Sequence, residues 1–261
     1  MDSDTFFLEL PKVELHAHLN GSLSQATMLQ LKRFHADSGL EDKTNAFFDE
    51  FQIGAGDTRN LTDCFQVFNI AHSLTSTPEA LTIATRLTLQ EFQDDGCCYL
   101  ELRSTPKETP HMTKVQYIET LVKAIQKSSL HLTMITRLIV SINRKSSIAE
   151  AEEIAKLAVE YYKKHPDVIV GIELSGDPMA GTFQSFVPAL TQARNAGLKT
   201  DDKGVFSTSL SQEYQICVKT FSLTSSQTAR LALNACQYVF ADNVRKTLND
   251  KLLNFIGKHS L

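Results

Sequence analysis

The chain alternates between strand-like and helix-like segments at a regular interval. Apolar, strand-like runs begin near positions 97, 132 and 168, about 35 residues apart, which is the length of one strand–helix–strand unit. Continuous apolar runs are typical of strands that are buried on both faces of a parallel sheet. Because parallel strands need long crossover connections, usually helices, this spacing restricts the chain to the α/β class.

The segments between these strands carry helix signals. A capping box at Thr113 and Gln116 begins one helix, and Ser147 with Glu150 caps the next, which Pro166 ends. The predicted apolar stripes are Val115, Ile118, Leu121 or Val122, and Ile125 in the first helix, and Ala151, Ile154, Ala158 and Tyr161 in the second. Both helices therefore show one apolar face, as a helix that covers a sheet requires.

The strand count falls short of a closed barrel. A short strand is predicted at 13–19, before those at 97–103, 132–142 and 168–176, and a stub at 198–200 is a fifth. Further helices are predicted over 78–95, 183–196, 209–220, 224–240 and 244–256. A complete (β/α)8 barrel has eight strands. We therefore expect an α/β fold of the TIM-barrel kind, as an incomplete barrel with four or five parallel strands.

Composition excludes several classes of partner. A net charge of −4 and a pI near 6.1 argue against binding to nucleic acid or to an anionic membrane. The five cysteines form no CxxC pair, which indicates a reducing compartment, and Cys97 and Cys98 are expected to be packed thiols on opposite faces of a strand. The N-terminus resembles no signal peptide. We expect a cytosolic monomer, with a nuclear location as the alternative.

Two histidines of the first strand are candidate metal ligands. His16 and His18 flank Ala17, so alternation places both imidazoles on one face, about 6–7 Å apart along the strand. A single buried histidine is usually a hydrogen-bonded core residue. Two on one face of a first strand are harder to explain by packing, and neutral imidazole is the commonest metal ligand. The pair therefore predicts a metal site.

Adjacent carboxylates at Asp201 and Asp202 follow the fifth strand stub. Taken alone, such a pair is typical of a solvated turn. Together with the two histidines, one carboxylate can complete a His/His/Asp ligand set while its neighbour accepts a hydrogen bond from a substrate.

Four motifs in succession resemble those of the metal-dependent adenosine/AMP deaminase family. They are ELPKVELHAHLNGS (9–22), YLELRSTP (99–106), GIELSGDP (171–178), and TDDKGVF with SQEY (200–206 and 211–214). The HLNGS and RSTP forms are similar to the adenosine deaminase-like branch, the N6-methyl-AMP deaminases. The resemblance covers nearly the whole chain in two blocks, 6–199 and 200–240.

The resemblance implies a (β/α)8 barrel with one zinc ion at its C-terminal mouth. It implies metal ligation by His16, His18 and Asp201, and it implies that Asp202 contacts the purine N7 while the backbone of Gly176 donates to the base. The remaining substrate contacts that it implies are His18, Asn20, His72, Arg103, Ser104, Thr105, Pro106 and Asn143. Asn143 stands where the branch has an aspartate, and His72 is equally compatible with an ordinary helix-surface histidine.

One family motif is missing. The family carries an HxxE motif, with a third histidine ligand and an acid–base glutamate, and then a further histidine, all before the TDD motif. Here Lys199 and Thr200 run directly into Asp201, and none of the eight histidines begins an HxxE. The missing stretch amounts to about 90 residues at the size of three strand–helix units. We expect residues 1–261 to form one metal-dependent deaminase-like domain with an internal deletion near 199–201.

Two functional readings follow. The first is a zinc-dependent aminohydrolase that converts N6-methyl-AMP to IMP and methylamine, impaired in this chain because the catalytic glutamate is absent; the substrate is a purine nucleotide or nucleoside. The second is a non-catalytic nucleotide-binding or interaction protein. A binuclear amidohydrolase with a carbamylated lysine has no candidate strand lysine, and the lack of HxE with PCxxC excludes the cytidine-deaminase fold.

Overall fold

The computed structural model describes residues 3–39, 69–177, 180–201 and 210–260. Its described residues form one sheet of five strands, all parallel and in chain order. The strands are β1 (Lys12–His18), β2 (Cys97–Ser104), β3 (Ile135–Asn143), β4 (Ile169–Ser175) and β5 (Lys199–Asp201). The prediction of an incomplete barrel with four or five parallel strands is confirmed.

Helices follow the strands as the spacing predicts. They are α1 (Ser3–Glu9), α2 (Gln25–Asp37), α3 (Pro78–Asp94), α4 (Lys114–Ser128), α5 (Ile148–Lys164), α6 (Phe183–Asn195), α7 (Leu210–Phe221), α8 (Ser225–Ala235) and α9 (Arg245–Lys258). Residues 69–74 are also helical. Residues 40–68 lie outside the described part of the chain. No helix in that part is long and apolar enough to cross a membrane.

Two predicted details need correction. Val115, in the first turn of the helix, is 41% exposed, and Tyr117 is buried on α4 instead, because helical periodicity marks an apolar face and not how far along the helix the packing reaches. The helix predicted over 224–240 ends at Ala235 and continues as a single 3-10 turn, Cys236–Tyr238. The stripe Ala151, Ile154, Ala158 and Tyr161 of α5 is buried throughout, as predicted.

The sheet is covered on both faces. One apolar cluster joins the strands to helices α2 to α6 and contains Cys97, and a second joins them to α1 and the C-terminal helices and contains Cys98. The two neighbouring thiols are buried and free, on opposite faces as predicted. Burial on both faces explains why the strands read as continuous apolar runs.

The C-terminal part of the chain covers the face of the sheet that a closed barrel would turn inward. The backbone N–H of Phe240 donates to the Glu101 carboxylate of β2, and the backbone N–H of Ala241 lies 3.4 Å from the Tyr99 hydroxyl. The ring of Phe240 also lies so close to Gly171 of β4 that a Cβ there would be 2.9 Å from it. This segment therefore buries the half of the inner face that lies towards the amino ends of the strands.

Gly96 provides a test of the connection between α3 and β2. It has a φ of +82°, and a Cβ there would lie 2.2 Å from the Leu8 carbonyl oxygen. We expect Gly96→Ala to lower the free energy of unfolding by about 1–3 kcal/mol, since neither the backbone angle nor the space suits a side chain. The control is Gly257→Ala on α9, where an added Cβ would meet no other part of the protein within 4 Å. Alanine is also a better helix former than glycine. Urea unfolding measures both variants, and equal losses would contradict the expectation.

Candidate functional site

The two histidines of β1 meet a glutamate of β4. The rings of His16 and His18 lie 5.2 Å apart, and these two residues and Glu173 each offer one ligand atom within 4.8 Å of the others. In a flat sheet β1 and β4 would stand about 14 Å apart, at three strand spacings. The sheet therefore curls as the wall of a barrel does, and this curvature brings the three side chains together.

A local irregularity of β1 helps to present the imidazoles. The pairing of β1 with β2 shifts register between Glu14 and Ala17, and the Glu14 carboxylate accepts the backbone N–H of His16 at 2.6 Å. This bond satisfies a backbone donor that the shifted ladder leaves aside. Both histidines lie at the carboxyl end of β1, which ends at His18. The sites of parallel α/β folds are found at this end of the strands.

Glu173 is the centre of a buried polar network. Its side chain is fully buried, and Oε2 accepts a hydrogen bond from Nη1 of Arg103. Oε1 accepts one from the hydroxyl of Ser141 and lies 3.5 Å from Nε2 of His18. Arg103 also donates through Nη2 to the Leu15 carbonyl oxygen at 2.7 Å. A buried charge is tolerated only when it is paired and hydrogen-bonded, and this network satisfies both conditions.

The donor set suits a divalent metal ion. Burial lowers the pKa of His18, against the attraction of Glu173 and together with the repulsion of Arg103, so its imidazole is neutral at pH 7 and has a free lone pair for a metal. Neutral imidazoles and a carboxylate are the nitrogen and oxygen ligands of catalytic zinc sites. The Nε2 atom of His16 is itself buried, inside the cluster rather than in solvent.

The predicted aspartates are only partly described. Asp201 is the last residue of β5 and is paired in register with Glu173, so its backbone lies beside the cluster. The side chain of Asp201 and the whole of Asp202 lie outside the described residues. Their roles as metal ligand and purine contact stay predictions.

Several predicted substrate residues form contacts within the protein. The Asn20 amide donates to the Thr75 hydroxyl at 2.9 Å, which ties the end of β1 to the helical segment 69–74. Nδ1 of His72 lies 3.2 Å from the ammonium group of Lys107. These contacts position the residues near the ends of β1 and β2, and their contact with a substrate stays a prediction.

The residues at the ends of the next strands divide between the two faces. The Ser104 hydroxyl lies 2.8 Å from that of Tyr117 in α4, so it faces the helix layer and not the histidines. Thr105 is half-buried and Pro106 is buried. Asn143 and Gly176 lie close together at the carboxyl ends of β3 and β4. A Cβ added to Gly176, whose φ is +99°, would be 3.0 Å from Oδ1 of Asn143.

Glu173 is the residue to which the sequence reasoning assigned no role. The available signal is a single carboxylate within the apolar strand IVGIELS, since a charged residue is almost never fully buried without a partner. What the sequence alone could not show is the curvature that carries this carboxylate from β4 to the histidines of β1.

Known proteins share this arrangement of strands and motifs. The adenosine deaminase family model matches residues 11–200. The N6-methyl-AMP deaminase of Bos taurus is 32% identical over 332 aligned positions, which cover 93% of this chain and 93% of the relative. The structure of Arabidopsis ADAL complexed with GMP has a TM-score of 0.82 at 27% identity, covering 96% of this chain and 98% of that one. Arabidopsis ADAL complexed with IMP has a TM-score of 0.82 at 26% identity, covering 97% and 99%.

The bovine alignment is longer than the chain itself. Of 261 residues, 93% is about 243, and 332 less 243 leaves about 89 positions of the relative that have no counterpart here. This number agrees with the three strand–helix units that the sequence predicts to be missing. The match to the family model ends at Thr200, directly before Asp201, where that segment is expected to be absent.

The Arg103–Glu173 pair yields a stability prediction. Arg103→Met leaves a buried carboxylate without its cation, and we expect the free energy of unfolding to fall by about 3–5 kcal/mol. Arg86→Met, at an exposed arginine of α3, is the control and should change it by less than about 0.5 kcal/mol. The double variant Arg103→Met with Glu173→Gln should lose less than the sum of the single losses. Urea unfolding decides, and equal effects at positions 103 and 86 would contradict the account.

Proposed function

Because the chain belongs to the adenosine deaminase family, we propose that its site is that of a hydrolytic deaminase for N6-substituted adenine nucleotides. The reaction is the conversion of N6-methyl-AMP and water to IMP and methylamine. The observation that carries the proposal is the cluster of His16 and His18 at the carboxyl end of a curved parallel sheet, in a chain whose relatives include N6-methyl-AMP deaminases. We treat residues 1–261 as one domain with an internal deletion near 199–201.

The reaction sets clear demands on the site. The water oxygen bonds to C6, the C6–N6 bond breaks, and the two water protons pass to N1 of the purine and to the leaving amine. We propose that His16, His18 and Asp201 hold a single zinc ion, which when bound supplies a water of lowered pKa. Arg103 and Ser141 hold the Glu173 carboxylate beside the ring of His18, 3.5 Å from its Nε2 atom, so the surroundings of this imidazole are fixed.

The nucleotide is proposed to lie over the carboxyl ends of the strands. Gly176, whose φ is +99°, lies against the Asn143 amide at the carboxyl ends of β3 and β4, and we propose that its backbone N–H donates to the purine base. Asp202 is proposed to contact N7 of the purine. Arg103 is engaged with Glu173 and Leu15, and we propose that it acts on the nucleotide through this network. The relatives complexed with GMP and IMP support a purine nucleotide as ligand.

Proton transfer is the step of the reaction that we expect to be slow in this chain. Acid–base catalysis by a positioned side chain contributes typically 10²–10⁴-fold, and the chain has no HxxE from which the family's glutamate could come. We therefore propose that the chain turns over slowly.

The same observation favours a second candidate function. A chain that keeps the histidine pair and the Asn143–Gly176 edge but has no HxxE is suited to bind a purine nucleotide without converting it. In this second candidate function the chain is a nucleotide-binding protein without turnover.

A steady-state assay tests the proposed activity. We expect the zinc-loaded chain to convert N6-methyl-AMP to IMP more slowly than the same chain with the missing segment restored. Its kcat/KM should be about 10²–10⁴-fold lower. The variant His16→Ala with His18→Ala, which removes the ligand pair, is the blank. Comparable kcat/KM for the original and the restored chain would refute the impairment.

Calorimetric titration with IMP separates the two candidate functions. Saturable binding together with turnover above the blank supports the slow enzyme, and saturable binding with turnover equal to the blank supports the binding protein. No binding of IMP by either the original or the restored chain would contradict both.

A further inference from the structure

We propose that Glu173 is a direct protein ligand of the metal ion in this chain, and that it makes up for the imidazole that the chain lacks. This inference rests on the metal centre of the proposed function. It adds a carboxylate of β4 to a ligand set that the family motifs place on His16, His18 and Asp201.

Position is the first argument. Among the described residues, His16, His18 and Glu173 are the one set of three histidine, cysteine or acidic side chains whose ligand atoms lie close enough to share an ion. Oε1 of Glu173 lies 3.5 Å from Nε2 of His18. Atoms at that separation can bind the same ion, since zinc holds nitrogen and oxygen ligands at about 2.0–2.2 Å.

The two oxygens of Glu173 have different surroundings, which is the second argument. Oε2 accepts from the guanidinium of Arg103, whereas Oε1, which lies towards His18, accepts from the Ser141 hydroxyl as its one hydrogen-bond donor among the described residues. A carboxylate oxygen has two lone pairs. Oε1 can therefore keep its bond to Ser141 and bind an ion, while Arg103 fixes the carboxylate from the other side.

Charge is the third argument. A divalent ion at this cluster would meet two imidazoles and, across Glu173, the permanent cation of Arg103. Without a carboxylate between them, the ion and the guanidinium would repel each other in a buried setting, where charges are poorly screened. Glu173 lies between the two positive groups and attracts both. An ion bound there would thus offset the buried negative charge of Glu173 together with the arginine.

The competing role for Glu173 is that of a positioning residue, which accepts a hydrogen bond from Nε2 of His18 and leaves the other ring nitrogen for the ion. The two roles predict different structures of the zinc-loaded protein. As a ligand, Oε1 lies about 2.0–2.2 Å from the ion; as a positioning residue, it stays bonded to the imidazole and outside the coordination shell.

The experiment combines zinc affinity with a spectroscopic signature. Zinc dissociation constants are measured by competition with a chromogenic chelator for the wild type, Glu173→Asp and Glu173→Gln. Glu173→Asp keeps a charge for Arg103 and draws the carboxylate back by one methylene, so it protects the measurement if Glu173→Gln fails to fold. The matched control is Glu101→Gln, which removes another buried carboxylate of the sheet away from the histidines.

We expect both Glu173 variants to bind zinc more than 100-fold more weakly than the wild type, beyond the 10–100-fold typical of an outer-shell partner, and Glu101→Gln to match the wild type. The visible absorption of the Co²⁺ form should change in Glu173→Asp and not in Glu101→Gln. A crystal structure of the zinc-loaded wild type should show Oε1 on the ion.

The outcomes separate this inference from the proposed function. If the wild type binds zinc and the Glu173 variants match it, or if Oε1 lies outside the shell, the inference is overturned and the proposed function stands. If the wild type itself binds no zinc, the metal centre of the proposed function fails and the inference fails with it.

Discussion

The curvature of the five-stranded sheet is the constraint on which the site depends. His18 belongs to β1 and Glu173 to β4, and only a sheet that curls like a barrel wall can bring their side chains to 3.5 Å. Arg103 of β2 and Ser141 of β3 fill the space between them and bond to the same carboxylate. These four strands therefore contribute one polar side chain each to a single network. The hydrogen bonds of this network link the strands to one another and stabilise the curved sheet.

The absent part of the barrel changes how the inner face of the sheet is buried. In a closed barrel, layers of side chains from opposite strands fill the interior. Here the C-terminal segment around Phe240 lies against Glu101 and Gly171, and helices α8 and α9 extend the apolar cover. This cover lies over the half of the inner face towards the amino ends of the strands. The histidines at the carboxyl ends therefore stay partly accessible to solvent, with the His18 side chain 23% exposed.

The fold was largely predictable from the sequence because its signals are local. Continuous apolar runs, the capping box at Thr113 and the stop at Pro166 each act within a few residues, and together they specify parallel strands joined by helices. The histidine pair was predictable for the same reason, since alternation along one strand places both rings on one face. Glu173 was not, because its meaning depends on neighbours 70 residues away at Arg103 and more than 150 away at His18. The exposed position of Val115 also escaped prediction, since periodicity marks the apolar face of a helix and not how far along the helix the packing reaches.

We propose that this chain keeps the metal-binding half of a deaminase site and lacks the means of rapid proton transfer. The most direct measurement is the zinc content of the purified, dialysed protein, determined by mass spectrometry beside the His16→Ala, His18→Ala double variant. The account predicts about one ion per chain in the wild type, as in a mononuclear site, and essentially none in the double variant. A wild type that retains no zinc, or a double variant that retains as much as the wild type, would contradict it.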